Sequence, residues 1–394
     1  MPALVVLHYN KISSLCVIKV ELIKKEDIIR MTDTNKAFDL KKQRLIHLDL
    51  LRLLAIYLVI FNHTGNIGYM LFENRVDSPF YFIYMIASVF CKIAVPLFFM
   101  ISGALLLSKE ETYRQLFLKR ILRIVVILLL ISVPYYYWLK RSYGISILSF
   151  LTYIYGNSAS TSLWYLYSYL GFLLMLPFLR KMVKTMQHKD FIYLFIGYII
   201  MVGVLPSLES YFLNGNTTIH EDFQPILFMS QSVFYALMGH YFEHFFNSEK
   251  VKTRIGSIGV CLSLVVLLIT CIMTHFLVVT NGIKNDGNSE VFFNYFIAVP
   301  TVTTYYYVKR FARRIINPKM QSIITIMGSA VFGVYLIEKI IRALTRNIHT
   351  MLSPIVGMFI ATLIWSLIVW VIGLIIVIII KNTPVIKKVV NKFI

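Results

Sequence analysis

Apolar positions fall in long runs, near residues 48–66, 80–107, 121–139, 161–179, 191–212, 224–246, 256–280, 291–308, 323–341 and 353–380. A helix crosses the hydrocarbon core with about 20 apolar residues, and in lipid the backbone must satisfy its own hydrogen bonds. The pattern therefore predicts an all-α polytopic membrane protein of ten spans. Pro96 inside the second run predicts a kink or a partly re-entrant path there.

Composition agrees. Of 394 residues, 58% are hydrophobic and 15% charged, with a mean hydropathy of +0.72, whereas soluble domains are about a quarter charged. The runs leave room for one transmembrane domain, residues 47–381. An N-terminal segment, 1–46, precedes it, and a short basic tail, 382–394, follows. The early run "ALVVL" is too short for a cleavable signal, and the polar lead-in "MTDTNKAFDLKKQR" makes Met31 a candidate translation start.

The net charge of +20 would suggest a nucleic-acid binder in a soluble chain. Its placement argues otherwise. Thirty of the 39 Lys and Arg lie in the two terminal segments and alternate connections, while the other connections hold Arg75, Lys140, Arg141, Lys284, Arg342 and Arg346. That bias predicts both termini in the cytoplasm, a multi-pass protein of a cell membrane, and no nucleic-acid partner. "PYYYW" (134–138) and "TYYY" (304–307) fit aromatic belts at the membrane interfaces. Cys16, Cys91, Cys261 and Cys271 have neither disulfide nor metal spacing.

Ionisable residues inside apolar runs mark the candidate chemistry. In "HLDLLRLLAIYLVIFNHTG" (47–65), Arg52 and His63 lie about 20° apart on a helix and about 16 Å apart along it. Asp49 shares their face, with Ile56 and Val59 between. Taken alone, such charges can snorkel to the two interfaces. Lys92, midway through the second run, cannot do so easily and needs an interior partner. If near His63, its charge would favour the neutral imidazole that a base requires. Ser102 and Gly103 permit close helix packing. Lys119, Arg120 and Arg123 crowd the cytoplasmic mouth of the third run; topology alone predicts basic residues there, and phosphate recognition would use them. Glu338 and Lys339, near the outer end of the ninth run, lie at the expected depth of His63, so Glu338 could orient or balance it. "HYFEH" (240–244) matches a zinc-protease spacing, but packing at the interface accounts for it better, and no metal is expected. No G-x-S-x-G elbow, Walker loop or dinucleotide fingerprint occurs.

Together these segments resemble the integral-membrane acyltransferase-3 family, which modifies surface polysaccharides, peptidoglycan and other extracytoplasmic glycans. The resemblance rests on "LDLLRLLAIYLVIFNH", "VPLFFMISGALLL", "FLKRILRI", "LWYLYSYLGFLLMLPFLRK" and "VYLI", in that order, and covers most of the chain. It implies a membrane O-acyltransferase, most simply an O-acetyltransferase, moving acetyl from cytoplasmic acetyl-CoA to a glycan hydroxyl beyond a prokaryotic plasma membrane. In that reading His63, Arg52 and Asp49 are catalytic. Arg52, Lys119, Arg120 and Arg123 bind the donor, and Lys92, Ser102, Trp164 and Glu338 support the site. Many relatives carry His where this chain has Glu338. The chain stops after the tenth run, so a stand-alone transmembrane core is expected. A non-catalytic exporter of polysaccharide or lipid-linked precursor is the alternative, and a scaffold subunit of a glycan-assembly complex a third reading.

Overall fold

The computed structural model describes residues 45–140, 146–157, 160–212, 220, 223, 225–246, 253–280 and 296–383. The N-terminal segment with Met31, and the basic tail, lie outside the described residues. Among the described residues the regular structure is helical, with no strand. Helical segments stand at all ten apolar runs. Among the described residues, six stretches are long and apolar enough to cross a membrane: Tyr81–Leu106, Trp164–Thr185, His188–Glu209, Gly256–Val279, Pro318–Leu344 and Met358–Asn382.

Helix α1 (Ile46–Asn62) opens with Asp49 in its first turn, where a carboxylate suits the positive end of the helix dipole. After its last turn Gly65 takes φ 59°, a left-handed conformation open to glycine, and the chain leaves the axis. The second run is two helices, α2 (Tyr81–Cys91) and α3 (Ala94–Leu106). Pro96 explains the break. It has no N–H for the Lys92 carbonyl four residues back, so the first helix stops there, and Pro96 falls in the first turn of the second, where no donor is required.

A short helix, α4 (Tyr113–Leu116), begins at a capping box between Thr112 and Gln115 and passes through a π turn, Phe117–Ile121, into α5 (Leu122–Lys140). Then follow α6 (Ile147–Gly156), α7 (Trp164–Thr185) and α8 (His188–Tyr198). A second π turn, Ile199–Val204, leads to α9 (Leu205–Phe212), where Pro206 removes the hydrogen bond to Val202 and widens the coil. The remainder are α10 (Ile226–Met229), α11 (Gln231–His244), α12 (Thr253–Thr280), α13 (Ala298–Ala312), α14 (Pro318–Leu344), α15 (Arg346–Val356) and α16 (Met358–Asn382).

Helix α1 is the hub, packed against α2, α3, α13, α14 and α16. Gly328 of α14 lies against Asp49 and Glu338 against His63, so α14 runs parallel to α1. Phe61 meets Phe359, and the Tyr57 hydroxyl donates to the Leu363 carbonyl at 3.4 Å, so α16 runs antiparallel to it. The outer face of α16 exposes Ile360, Ile364, Leu367, Val371, Ile375 and Ile379, a stripe suited to lipid. "TYYY" departs from the belt expected at the interface, because Tyr305 is fully buried and donates to Glu243 at 2.7 Å.

The closest helix approach is between α3 and α11. A Cβ on Gly103 would stand 1.8 Å from the Ala236 carbonyl oxygen, and one on Gly239 would stand 1.9 Å from that of Met100. Each glycine thus accommodates the other helix's backbone, as small residues do where membrane helices cross. Gly239→Ala should force the pair apart and cost about 1–3 kcal/mol. Gly171→Ala, where an added methyl meets nothing within 4 Å, should be near neutral. Thermal melts of both variants in one detergent check the contrast.

Candidate active site

Two polar clusters occupy opposite ends of α1, with apolar packing between them: Ile56 is fully buried and Val59 is nearly so. At the Asn62 end, Nδ1–H of His63 donates to Glu338 Oε1 at 2.9 Å, since a carboxylate only accepts. This leaves Nε2 as the basic nitrogen. Glu338 is fully buried and is also held by Arg342, whose Nε donates to Oε2 at 2.5 Å. The same guanidinium donates through Nη1 to the His63 carbonyl at 2.5 Å, fixing the histidine's backbone and its carboxylate together. One guanidinium and one imidazole N–H thus share the carboxylate, and such donors offset the cost of burying it.

Arg342, one helical turn after Glu338, is thus part of the cluster rather than of an outer connection. Lys339 turns instead toward Ser160, donating at 3.0 Å. Lys92, at the α2–α3 break, has its ammonium 4.7 Å from the centre of the Tyr69 ring, in the loop that follows His63. A cation over an aromatic face is stabilised by the negative face of the ring.

Near the Ile46 end Asp49, fully buried, accepts from Arg52 Nη1. Gly328 leaves the space for it: a Cβ there would come within 2.6 Å of Asp49 Oδ1. The Arg52 guanidinium is partly exposed and interacts electrostatically with Tyr165 and Tyr169, whose hydroxyls face Ser102. Tyr169 also interacts with the charges of Arg120 and Arg123. Arg52, Ser102, Tyr165, Tyr169, Arg120 and Arg123 therefore form one neighbourhood drawn from α1, α3, the π turn, α5 and α7. Tyr165 also packs edge-on against Tyr335, with ring centres 5.8 Å apart, linking this neighbourhood to α14. Trp164, by contrast, is 45% exposed at the start of α7, and Lys119 is exposed on the π turn.

A third set lies beside these. Glu243 accepts from His47 at 2.8 Å and from Tyr305 at 2.7 Å, and pairs with Lys309 at 3.2 Å. Its carboxylate is thus taken up by these three groups, while His240 and His244 both approach the Ser108 hydroxyl, at 3.3 and 2.6 Å. The "HYFEH" spacing does not become a zinc-type constellation.

Arg120 sits in the π turn and is engaged by Glu111 of the α3–α4 loop. Its Nε donates to Glu111 Oε2 at 2.9 Å and its Nη2 to Oε1 at 2.5 Å, while Arg180 of α7 donates to Oε2 at 2.8 Å. Hydrogen bonds from Arg120 foremost, with those from Arg180, hold the Glu111 carboxyl at about 2, against the opposing effect of burial. Beside this knot lies a cavity of ≈ 430 Å³, whose lining includes Lys109, Thr112, Gln115, Arg180, Lys181 and Lys184.

A protein-family model described as an acyltransferase domain matches residues 45–381. No curated protein and no solved structure matches the chain.

Two outcomes follow from these clusters. Glu338→Leu strands Arg342 in the interior and should cost about 3–5 kcal/mol, and adding Arg342→Met should recover much of it; melts of the single and double variants test this. Because Glu111 has a folded pKa below its unfolded one, its contribution is full above the ordinary carboxylate range and lost as pH falls through about 2. The stability difference between wild type and Glu111→Gln should therefore shrink steadily from about pH 5 downward, as melts across that range would show.

Proposed function

The chain belongs to the acyltransferase-3 family, and we propose on that premise that it transfers an acyl group, most simply acetyl from cytoplasmic acetyl-CoA, to a hydroxyl of an extracytoplasmic cell-surface or cell-wall glycan. The observation that carries this reading is the couple of His63 with Glu338 and Arg342 at one end of α1, opposite the arginine-rich neighbourhood at the other.

The proposed topology is ten spans with both termini cytoplasmic, in a prokaryotic plasma membrane. The parallel course of α1 and α14, with α16 antiparallel, supports it, since first and ninth spans share a direction and the tenth opposes them. In this orientation Arg52, Lys119, Arg120 and Arg123 face the cytoplasmic half, where guanidinium and ammonium groups suit the donor's phosphates. Asp49 holds the rotamer of Arg52. Ser102, Tyr165 and Tyr169 lie between Arg52 and α14, which Tyr165 reaches through Tyr335, and Trp164 stands at the start of α7.

His63, about 16 Å further along α1, would act as general base. Nε2 takes the proton of the acceptor hydroxyl as its oxygen attacks the thioester carbonyl. The C–S bond breaks, and the thiolate leaves with a proton returned by the imidazole. Glu338 holds Nδ1–H so that Nε2 faces the reaction and stabilises the imidazolium that forms, while Arg342 keeps Glu338 in place. Lys92 adds positive charge on the same side of the protein, over Tyr69. No metal enters this scheme.

Labelled acetyl-CoA supplied to inside-out vesicles with native glycan tests the proposal. His63→Ala should lower acyl transfer about 10²–10⁴-fold, and Arg52→Ala should lower it at equal protein level. Glycan export that survives His63→Ala would favour an exporter, and indifference to both substitutions would favour a scaffold.

A further inference from the structure

We propose that Glu111 is a displaceable stand-in for a phosphate: its loop lines the basic cavity beside α7, and an anionic ligand binds by taking the carboxylate's place on Arg120 and Arg180. This rests on the reading of the basic mouth as the donor's entrance.

Three observations carry it. Glu111 receives donors from two arginines on separate segments, Arg120 in a two-pronged fork and Arg180 by one further bond. Convergent guanidinium forks of this kind recognise phosphate as readily as carboxylate. The cavity alongside, ≈ 430 Å³, is of ligand size and adds Lys109, Lys181 and Lys184. Of its two carboxylates, Glu110 is exposed and makes only a surface pair with Lys184 at 3.2 Å, so Glu111 is the counter-charge that matters.

The third observation is local geometry. Arg120 is presented by a π turn, an irregularity that is rare in helices and recurs at functional sites. Glu111 itself lies outside any helix, just before the capping box that starts α4, while Arg180 Nε anchors the end of α3 by donating to the Leu106 carbonyl at 3.0 Å. The latch is therefore a loop carboxylate held on an arginine that a π turn presents. Arg120 also interacts with Tyr169, so the anion that replaces Glu111 sits at the mouth of the Arg52 neighbourhood.

Isothermal titration of purified full-length protein in nanodiscs with two probes, inorganic pyrophosphate and coenzyme A, tests the latch. Removing the competing charge in Glu111→Gln should tighten pyrophosphate binding roughly tenfold, the worth of about one charge-assisted hydrogen bond. Glu110→Gln, which removes the same charge one residue away, sets the background and should give a much smaller gain. Glu111→Asp keeps the charge and should bind like wild type. If Glu111→Gln binds pyrophosphate no more tightly than Glu110→Gln does, the latch is overturned, and Glu111 is a structural ion pair. If pyrophosphate gains while coenzyme A binds to neither wild type nor variant, the latch stands and the proposed donor falls. Should Glu111→Gln be too unstable to purify, hydrogen exchange of residues 107–112 in wild type decides instead: pyrophosphate should speed exchange there, and unchanged or slowed exchange overturns the proposal.

Discussion

A charge in lipid must be answered by another charge or by a hydrogen bond, and α1 is where that constraint bears hardest. The helix is surrounded by five others and carries Asp49, Arg52 and His63. Its position follows from them. Asp49 needs the gap that Gly328 leaves, and His63 needs Glu338, so two points on α14 fix that helix alongside α1. Arg342 then neutralises the carboxylate and seizes the His63 carbonyl. Most of the inner bundle can be understood as helices arranged to supply what α1 lacks.

The all-helical architecture and the positions of the helices were legible because long apolar runs have few alternatives in a bilayer. So was the polar stripe of α1, since helical phase alone aligns residues 49, 52 and 63. Glu338 could be matched to His63 by depth. Arg342 could not, because it looked like one more basic residue in a connection, although its place four residues after a buried carboxylate was the available clue. Tyr165 and Tyr169 were hidden in the same way. They stand in the quoted aromatic segment, but Trp164 draws attention there, and only the packing of α3 and α5 against α7 turns the two tyrosines toward Arg52. Tyr305 shows the opposite error: an aromatic triplet at a helix end resembles an interfacial belt until Glu243 supplies a buried partner.

The two ends of α1 differ in kind. At the His63 end the groups are rigid: a histidine, a fully buried carboxylate and an arginine that binds both. At the Arg52 end the surrounding basic groups lie on a π turn and next to a loop, with a cavity open beside them. That contrast is what the proposed function asks for: fixed groups where bonds would change, and adaptable ones where the proposed donor would enter and leave.

The pairing of His63 with Glu338 spans 275 residues, and that distance bears on how the protein is made. At about 5–20 residues per second, the ribosome delivers Glu338 tens of seconds after His63. During that interval α1 must wait in or beside the translocon without its eventual neighbours. Asp49 and Arg52 can meet this wait unaided, because three residues apart on one helix they neutralise each other as soon as the turn forms. The charges on the first helix are thus of the sort that can enter a membrane early, while the strongly ionised partners, Glu338 and Arg342, arrive together on one late helix and already paired.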